Sequence, residues 1–306
     1  MCGFFADFAV KNFQTPVVLK NALNSAIDRL TAAHTPSPRM NADLLLMFVL
    51  GCDRAFLFAH PERELNADER SRYEEAIVQR SSGIPAQYIT GHQEFWGLDF
   101  IVTPAVLIPR PETEHLIETV LQLDAHGGPR PPGQPRAAVS TRIVDVGTGS
   151  GCIAVALAKE LPAAEIRAVD ISPAALEIAQ ANATRHQVED RIHFTQADLV
   201  EGLPPNSFDL AVSNPPYVGE SEEDQVQLEV RKFEPRNAVF AGPTGLEVIE
   251  RLVPQAGRVL KPGGWLVMEI SGTIAEKVKH LFKDWRGLRI GNDLQGIPRV
   301  VSAQKL

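Results

Sequence analysis

The most informative stretch of this 306-residue sequence runs from Arg142 to Glu160 and reads RIVDVGTGSGCIAVALAKE. Its first five residues have the mostly apolar, β-branched pattern of a buried strand. Glycines follow at three alternate positions, and an apolar run of helical length comes directly after them. Because glycine lets the backbone bend sharply and approach a ligand closely, the stretch predicts a strand–turn–helix unit with a ligand at the turn.

Strand and helix patterns alternate along the chain from this unit onward. The predicted strands are Arg142–Val146, Glu165–Asp170, Arg191–Ala197, Phe208–Ser213, Trp265–Ile270 and Arg299–Ala303. The predicted helices of the same region are Glu112–Leu123, Cys152–Leu161, Pro173–His186, Leu246–Leu260 and Ile274–Trp285. Alternation of this kind indicates the α/β class, with a doubly wound, mainly parallel sheet.

The chain before this region has a different pattern, which predicts a separate helical domain. Three helical segments occupy residues 16–85, and Asn66 is positioned to cap the third of them. Residues 86–110 are rich in aromatic and β-branched residues and predict a hairpin-like connector. The predicted divisions are a tail (1–15), a helical domain (16–85), a β-hairpin connector (86–110) and a sheet domain (111–306), with a Gly/Pro-rich loop at 124–136.

The composition excludes several classes of protein. Hydrophobic residues make up 44% of the chain and charged residues 22%, which is enough apolar material for a sizeable core. With a net charge of −8, the chain lacks the overall positive charge that is typical of proteins that bind nucleic acids. No apolar run approaches the roughly 20 residues of a membrane span, and the start does not resemble a secretory signal. The three cysteines are scattered and odd in number, which argues against a disulfide framework and favours a reducing cytoplasm. We expect no metal site. Nothing in the sequence requires an assembly larger than a monomer.

The glycine loop predicts a nucleoside-containing cofactor. Asp170 ends the next strand, 23 residues beyond Gly147, where its carboxylate could accept hydrogen bonds from ribose hydroxyls. The dinucleotide pattern G-x-G-x-x-G fails, because Cys152 stands where its third glycine belongs. The observed G-x-G-x-G, preceded by the acidic Asp145, is typical of methyltransferases that use S-adenosylmethionine. Glycines that merely form a tight turn are the plain alternative.

The fourth predicted strand ends in Ser213 and continues as Asn214-Pro215-Pro216-Tyr217. In an open parallel sheet this loop faces the same crevice as the glycine loop. Proline fixes φ, removes an N–H and restricts the residue before it, so the loop is stiff and presents acceptors. The Asn214 side-chain oxygen and the Pro215 carbonyl could each accept one N–H of a planar –NH2 group, while Tyr217 stacks on it. A stiff loop without chemistry is the plain alternative.

Further motifs lie outside the predicted sheet: Gln87–Gly91, Gln93–Trp96, Leu107–Glu114, Phe233–Pro235 and Arg299–Val301. With the two loops, these residues resemble the peptide chain release factor glutamine methyltransferases (the HemK/PrmC family) over roughly residues 17–304. The resemblance implies a seven-stranded Rossmann-like methyltransferase sheet preceded by a small helical bundle. It also implies methylation of the side-chain amide of the Gly-Gly-Gln glutamine of class 1 release factors.

The same resemblance assigns roles to individual residues. S-adenosylmethionine would be bound by Gly147, Thr148, Gly149, Ser150, Gly151, Asp170, Asp198, Leu199 and Asn214. The substrate glutamine would be bound by Asn214, Pro215, Pro216 and Tyr217, of which Asn214, Pro215 and Tyr217 are the candidate catalytic residues. The helical domain would grip the release factor, with no stable binding of nucleic acid or membrane. Asp198 could equally be a solvated loop acid.

Several residues near these motifs have two interpretations. Arg110 and Glu112 could form an ion pair or helix cap that joins connector and sheet domain, or contact the substrate. Glu234 could be structural or could shape the substrate pocket. Trp96, with the neighbouring Phe95, fits the connector core better than a substrate contact, and His92 fits a surface position of the connector.

Two rival functions remain open from the sequence. The first is a methyltransferase for an exocyclic amine of a nucleic-acid base, which must bind a polyanion and extract the base from its stack. Neither residues 1–110 (net −2) nor residues 111–306 (net −6) have the charge of a basic module. The second is a non-catalytic, methyltransferase-like adapter, which would be expected to lose the glycines or Asn214, and here both are complete.

Overall fold

The computed structural model describes residues 17–125 and 141–306 of the chain. The predicted tail lies outside these ranges, as do residues 126–136 of the predicted loop. The contacts between residues divide the chain into two compact units, and the boundary along the sequence falls between Thr90 and Gly91. Within the described ranges, no helix is long and apolar enough to cross a membrane.

The first unit is a small helical bundle. Its elements are β1 (Val17–Val18), α1 (Leu19–Ala32), α2 (Pro38–Leu50), α3 (Arg54–Ala59), β2 (Glu64–Leu65), α4 (Ala67–Ser81) and α5 (Ala86–Thr90). Asn66 caps α4 as predicted, since its side chain accepts from the Glu69 N–H while Glu69 accepts from the Asn66 N–H. The short helix α3, capped by Asp53, was not predicted.

The second unit contains the remaining elements. Its helices are α6 (Glu114–Ala125), α7 (Cys152–Glu160), α8 (Pro173–Arg185), α9 (Leu228–Phe233), α10 (Arg236–Val239), α11 (Glu247–Val259) and α12 (Ala275–Lys279). Its strands are β3 (His92–Phe95), β4 (Leu98–Ile101), β5 (Arg142–Val146), β6 (Glu165–Asp170), β7 (Ile192–Gln196), β8 (Phe208–Ser213), β9 (Val218–Gly219), β10 (Phe240–Gly242), β11 (Leu260–Glu269), β12 (Trp285–Asn292) and β13 (Pro298–Lys305). Single 3₁₀ turns are formed by Pro111–Thr113, Glu189–Arg191, Glu220–Gln225 and His280–Phe282.

Seven strands form one sheet in the order β12-β13-β11-β8-β5-β6-β7. The five strands from β11 to β7 are parallel, and β13 is antiparallel to both of its neighbours. Helices cover both faces. Alternate strand residues pack against α6, α7 and α8 on one face and against α11 and α12 on the other. The predicted fold class, a doubly wound and mainly parallel seven-stranded sheet, is therefore confirmed.

The end of the chain differs from the prediction. The helix predicted over Ile274–Trp285 ends as α12 at Lys279, followed by one 3₁₀ turn. Trp285 instead begins β12, an edge strand that sequence patterning did not locate. The strand has no buried side chain and contains two glycines, Gly287 and Gly291, so it lacks the alternation that identifies a half-buried strand.

The predicted hairpin is formed by β3 and β4. Its turn is Trp96-Gly97, both with positive φ (55° and 68°), as a two-residue type I′ turn requires. Residues 86–90, which the sequence places in the connector, form helix α5 instead. Phe95 and Trp96 are predicted to form a core of the connector; Phe95 is instead buried in the core on one face of the sheet, and Trp96 packs against that core. His92 lies half exposed on β3 beside Asp99, which agrees with the surface interpretation.

One buried side chain, Asn182 of α8, joins the hairpin to the glycine loop. Its oxygen accepts from the Ile101 N–H at 2.7 Å, and its amide donates to the Ile101 and Ser150 carbonyls at 2.9 Å each. The Asn182 side chain pairs with both backbone groups of Ile101, as a neighbouring strand would, and so holds β4 beside α8.

We expect Asn182→Ala to destabilise the protein by about 2 to 4 kcal/mol, because three backbone groups in buried or partly buried positions lose their Asn182 partner. Urea unfolding measures this loss. The matched control is Gln180→Ala, an exposed position on the same helix, which should change stability by less than about 0.5 kcal/mol. A loss below about 0.5 kcal/mol for Asn182→Ala would mean that other contacts hold the hairpin.

Candidate functional site

The site is built from the carboxyl ends of four neighbouring strands that stop in the same row. Met268, Ser213, Val146 and Val169 are register partners across β11, β8, β5 and β6. The next residues along these strands are Glu269, Asn214, Gly147 and Asp170. The Ser213 hydroxyl also donates to the Val146 carbonyl at 2.7 Å, which ties the two central strand ends together. Both predicted loops therefore begin at adjacent points of one crevice.

The glycine loop uses most of its backbone donors internally. Gly147 and Thr148 donate to the Val169 carbonyl, at 2.8 and 2.9 Å, and Gly151 donates to the Thr148 carbonyl. Gly149 donates to the Asp170 carboxylate at 2.9 Å. A phosphate-binding loop instead directs its N–H groups at the ligand. This loop has the shape for a close backbone approach and few donors left for a phosphate.

Gly151 has a packing role that differs from that of the other loop glycines. It has φ +79°, and a Cβ there would lie 3.0 Å from the Ala179 Cβ of α8. A Cβ at Gly147 or Gly149 would meet nothing within 3.9 Å, although both have positive φ. The first two glycines thus border open space, whereas the third lets two helices approach closely.

Asp145, the acid before the glycines, lies in the core and not at the surface of the crevice. It is fully buried, and one of its oxygens accepts from the Thr148 hydroxyl at 2.6 Å. Burial raises the pKa of this carboxyl to about 7, against the lowering effect of the Thr148 hydrogen bond. Through its hydrogen bond with Thr148, Asp145 fixes the glycine loop to the buried end of β5.

Asp170 is oriented by the backbone around it. One carboxylate oxygen accepts from the Gly149 N–H and the other from the Ser172 N–H, each at 2.9 Å. A carboxylate has about four acceptor positions, so Asp170 retains acceptors for hydroxyl groups of a ligand in the crevice.

Asp198 and Leu199 follow the third predicted strand and reach the same crevice. Asp198 forms an ion pair with Arg251 of α11, a residue that sequence reasoning missed. Leu199 has φ +53°, a left-handed conformation that is uncommon for a residue other than glycine.

Asn214 lies partly exposed at the end of β8. Its side-chain nitrogen donates to the Thr113 hydroxyl at 3.0 Å. Thr113 in turn donates to Glu269 at 2.6 Å. Since its nitrogen is engaged behind it, the Asn214 side-chain oxygen is the atom available to a ligand.

Tyr217 has its hydroxyl turned away from solvent. The hydroxyl donates to the second oxygen of Glu269 at 3.0 Å, and the ring packs partly buried against the core. Burial, followed by the charge of Glu269, raises the pKa of Tyr217 far above its ordinary value. Burial likewise raises the pKa of Glu269, although the hydrogen bonds from Thr113 and Tyr217 lower it.

Arg110 and Glu112 do not pair with each other. Arg110 instead forms an ion pair with Glu234, whose side chain is almost wholly buried. Glu234 also accepts from the Ile108 N–H at 3.1 Å, so it anchors the segment that follows the hairpin. The structural interpretation of Glu234 is thus supported by its contacts.

A cavity of about 280 Å³ occupies this crevice. The predicted site residues that line it are Gly147, Thr148, Gly149, Ser150, Asp170, Asp198, Leu199, Asn214 and Pro216. Gly151, Pro215 and Tyr217 are not among its lining residues; Pro215 is buried and Tyr217 lies behind the loop. Apolar lining comes from residues such as Val106, Ile153 and Ile171.

Sequence reasoning missed five polar residues at this site. Arg251, Asn237 and Ser172 line the cavity. Thr113 also lines it and contacts Asn214, and Glu269 lies buried beneath Thr113. Two of them carried a signal. Thr113 belongs to the quoted Leu107–Glu114 motif, and Glu269 is a lone acid in an otherwise apolar strand.

Comparisons with known proteins match both the helical part and the sheet part of the chain. A family described as the PrmC N-terminal domain matches residues 21–91, and one described as the methyltransferase small domain matches residues 134–232. Among solved structures, the catalytic domain of hMettl16, in complex with the MAT2A 3′UTR hairpin 1, has a TM-score of 0.54. It shares 16% identity and covers 85% of this chain and 91% of that one. At that identity the likeness shows the fold alone.

Two curated relatives cover nearly the whole chain. The release factor glutamine methyltransferase of Koribacter versatilis is 57% identical over 94% of this chain and 99% of the relative. That of Rhodopirellula baltica is 38% identical over 95% of this chain and 97% of the relative. With this identity and coverage, the chain belongs to the release factor glutamine methyltransferase family.

Proposed function

We propose that this protein transfers a methyl group from S-adenosylmethionine to the side-chain amide nitrogen of the glutamine in the Gly-Gly-Gln motif of class 1 release factors. The observation that carries the proposal is the outward Asn214 oxygen, beside a glycine loop, in the chain's methyltransferase fold. The proposal includes a cytoplasmic, monomeric enzyme that binds neither nucleic acid nor membranes stably.

The residues of the cavity fit this cofactor. Gly147 and Gly149 leave open space where a ligand can approach the backbone. Asp170 retains acceptors for the ribose hydroxyls, and Leu199 and Ile171 supply apolar surface for a flat ring. Few N–H donors of the loop remain for a phosphate group, and S-adenosylmethionine contains no phosphate. When bound, it supplies a methyl group on a positively charged sulfur.

The loop Asn214–Tyr217 holds the nitrogen that is methylated. Amide nitrogens are weak nucleophiles because their lone pair is delocalised into the carbonyl. The Asn214 oxygen, which faces the cavity, binds one N–H group. We assign the other to the carbonyl of Pro215, a buried residue that is not among those lining the cavity. Together they orient the nitrogen toward the methyl group. Catalysis then comes from orientation and from stabilising positive charge that develops on the nitrogen. One N–C bond forms, one S–C bond breaks, and the nitrogen afterwards releases a proton to water.

The helical unit supplies a surface for the protein substrate. Met40, Leu44 and Phe48 repeat every four residues on α2 and are 57%, 36% and 42% exposed. Phe58 of α3 is exposed as well. Large exposed apolar side chains in a stripe are typical of an interaction site, and the proposal assigns this stripe to the release factor.

Incubation with methyl-labelled cofactor tests the proposed function directly. We expect label on the Gly-Gly-Gln glutamine of a class 1 release factor. A release factor with glutamate at that position should take no label, because it lacks the amide nitrogen. Label in total RNA, and none in the release factor, would contradict the proposal.

Asn214→Ala should lower kcat by about 10²- to 10³-fold, because it deletes one acceptor of the reacting –NH2 group. Calorimetric titration should show cofactor affinity within about threefold of the original. Asn292→Ala, an exposed position at the end of β12, is the matched control and should retain full kcat. A near-normal rate for Asn214→Ala would refute the role of this residue.

The double change Leu44→Gln and Phe48→Gln should raise the KM for the release factor about 30-fold with kcat nearly unchanged, because about 1 kcal/mol of apolar contact is lost per side chain. The control is Leu294→Gln, which changes a fully exposed leucine of the other unit. An unchanged KM for the double variant would place the release factor elsewhere.

A further inference from the structure

A chain of buried hydrogen bonds runs from the end of β11 to Asn214. Glu269 is 1% exposed and Thr113 is 2% exposed. The bonds join Asn214 Nδ2 to Thr113 Oγ1 at 3.0 Å and Thr113 Oγ1 to Glu269 Oε2 at 2.6 Å. We infer that Thr113 and Glu269 are positioning residues, which hold the Asn214 side chain with its oxygen toward the nitrogen to be methylated.

The direction of this chain follows from the number of protons available. The two Glu269 carboxyl oxygens accept from the Thr113 and Tyr217 hydroxyls, and a threonine hydroxyl has only one proton to donate. Because Thr113 gives that proton to Glu269, its oxygen can only accept from Asn214. Asn214 must then present its –NH2 group to Thr113, which leaves its oxygen on the cavity side. A reversed amide would place two donors toward the substrate's own N–H groups.

Both oxygens of Glu269 are engaged in this way. The second accepts from the Tyr217 hydroxyl at 3.0 Å, so one carboxylate holds both ends of the loop Asn214–Tyr217. The charged groups that act on Glu269 are Glu112, in the 3₁₀ turn with Thr113, and Arg299 of β13. Arg299 favours the ionised form of Glu269, and Glu112 opposes it.

The inference gives a physical reason for a motif that the proposed reaction does not use. In Arg110–Glu114, Arg110 pairs with Glu234, Thr113 bonds to Asn214 and Glu269, and Glu114 accepts from the Trp96 N–H at 2.8 Å. The segment therefore links the hairpin to the reacting loop. Thr113 is its member in contact with Asn214, which the proposed function places at the amide.

This inference rests on the proposed function only in requiring a planar –NH2 group as the acceptor of the methyl group. If the label entered RNA and not the release factor, the proposed function would fail. The kinetic series below would then be measured with that RNA, and it would still decide whether Thr113 and Glu269 position Asn214.

The test is a double-mutant cycle on kcat between Thr113→Val and Asn214→Ala. Thr113→Val keeps the shape of the side chain and removes the hydroxyl. If Thr113 acts through Asn214, we expect kcat to fall by about tenfold or more in the original protein. In the Asn214→Ala background the same change should alter kcat by less than about threefold. An equal loss in both backgrounds, or no loss in the original protein, would overturn the inference.

Further variants separate positioning from a general loss of structure. Thr113→Ser keeps the hydroxyl and should retain kcat within about threefold. Glu269→Gln, which places a donor where only acceptors stood, should lower kcat as Thr113→Val does, with cofactor affinity unchanged. Thr119→Val removes a hydroxyl that bonds only its own helix, at the His115 carbonyl, and is the matched control. Loss of kcat in Thr113→Ser, or full kcat in Glu269→Gln, would contradict the inference.

Discussion

The pairing of Val146 with Ser213 is the constraint on which the site depends. These residues are register partners on adjacent parallel strands, and the Ser213 hydroxyl donates to the Val146 carbonyl. The strands β11, β8, β5 and β6 all end at this row or one residue beyond it. A slip of one residue would turn each side chain to the opposite face of the sheet, so the register of the core determines where the loops of the candidate site begin.

The site separates open surface from buried support. The surface consists of glycine backbone, Asp170 and the Asn214 oxygen, and it faces a cavity of modest size. The support consists of polar groups that are nearly or wholly buried, namely Asp145 beneath the glycine loop and Glu269 beneath the Asn214 loop. In each case a threonine hydroxyl, of Thr148 or Thr113, connects acid and loop. Buried hydrogen bonds of this kind restrict the loops to one arrangement.

Local sequence patterns predicted the parts of the structure that depend on neighbouring residues. The strands Arg142–Val146, Glu165–Asp170 and Phe208–Ser213 have the predicted bounds, because buried parallel strands are continuous apolar runs. The strand β12 was missed because its side chains are largely exposed. The contact of Thr113 with Glu269 spans 156 residues and leaves no local pattern. Such contacts need the fold, since only the sheet brings these residues together.

The internal use of the glycine-loop donors has a consequence for competition inside a cell. Nucleoside triphosphates and dinucleotides share adenosine with S-adenosylmethionine and are abundant metabolites. At this loop their phosphates would meet N–H groups already engaged with Val169 and Asp170. The nearby cations, Arg110 and Arg251, are neutralised by Glu234 and Asp198. The crevice therefore offers a nucleotide phosphate few uncommitted N–H groups and little uncompensated positive charge.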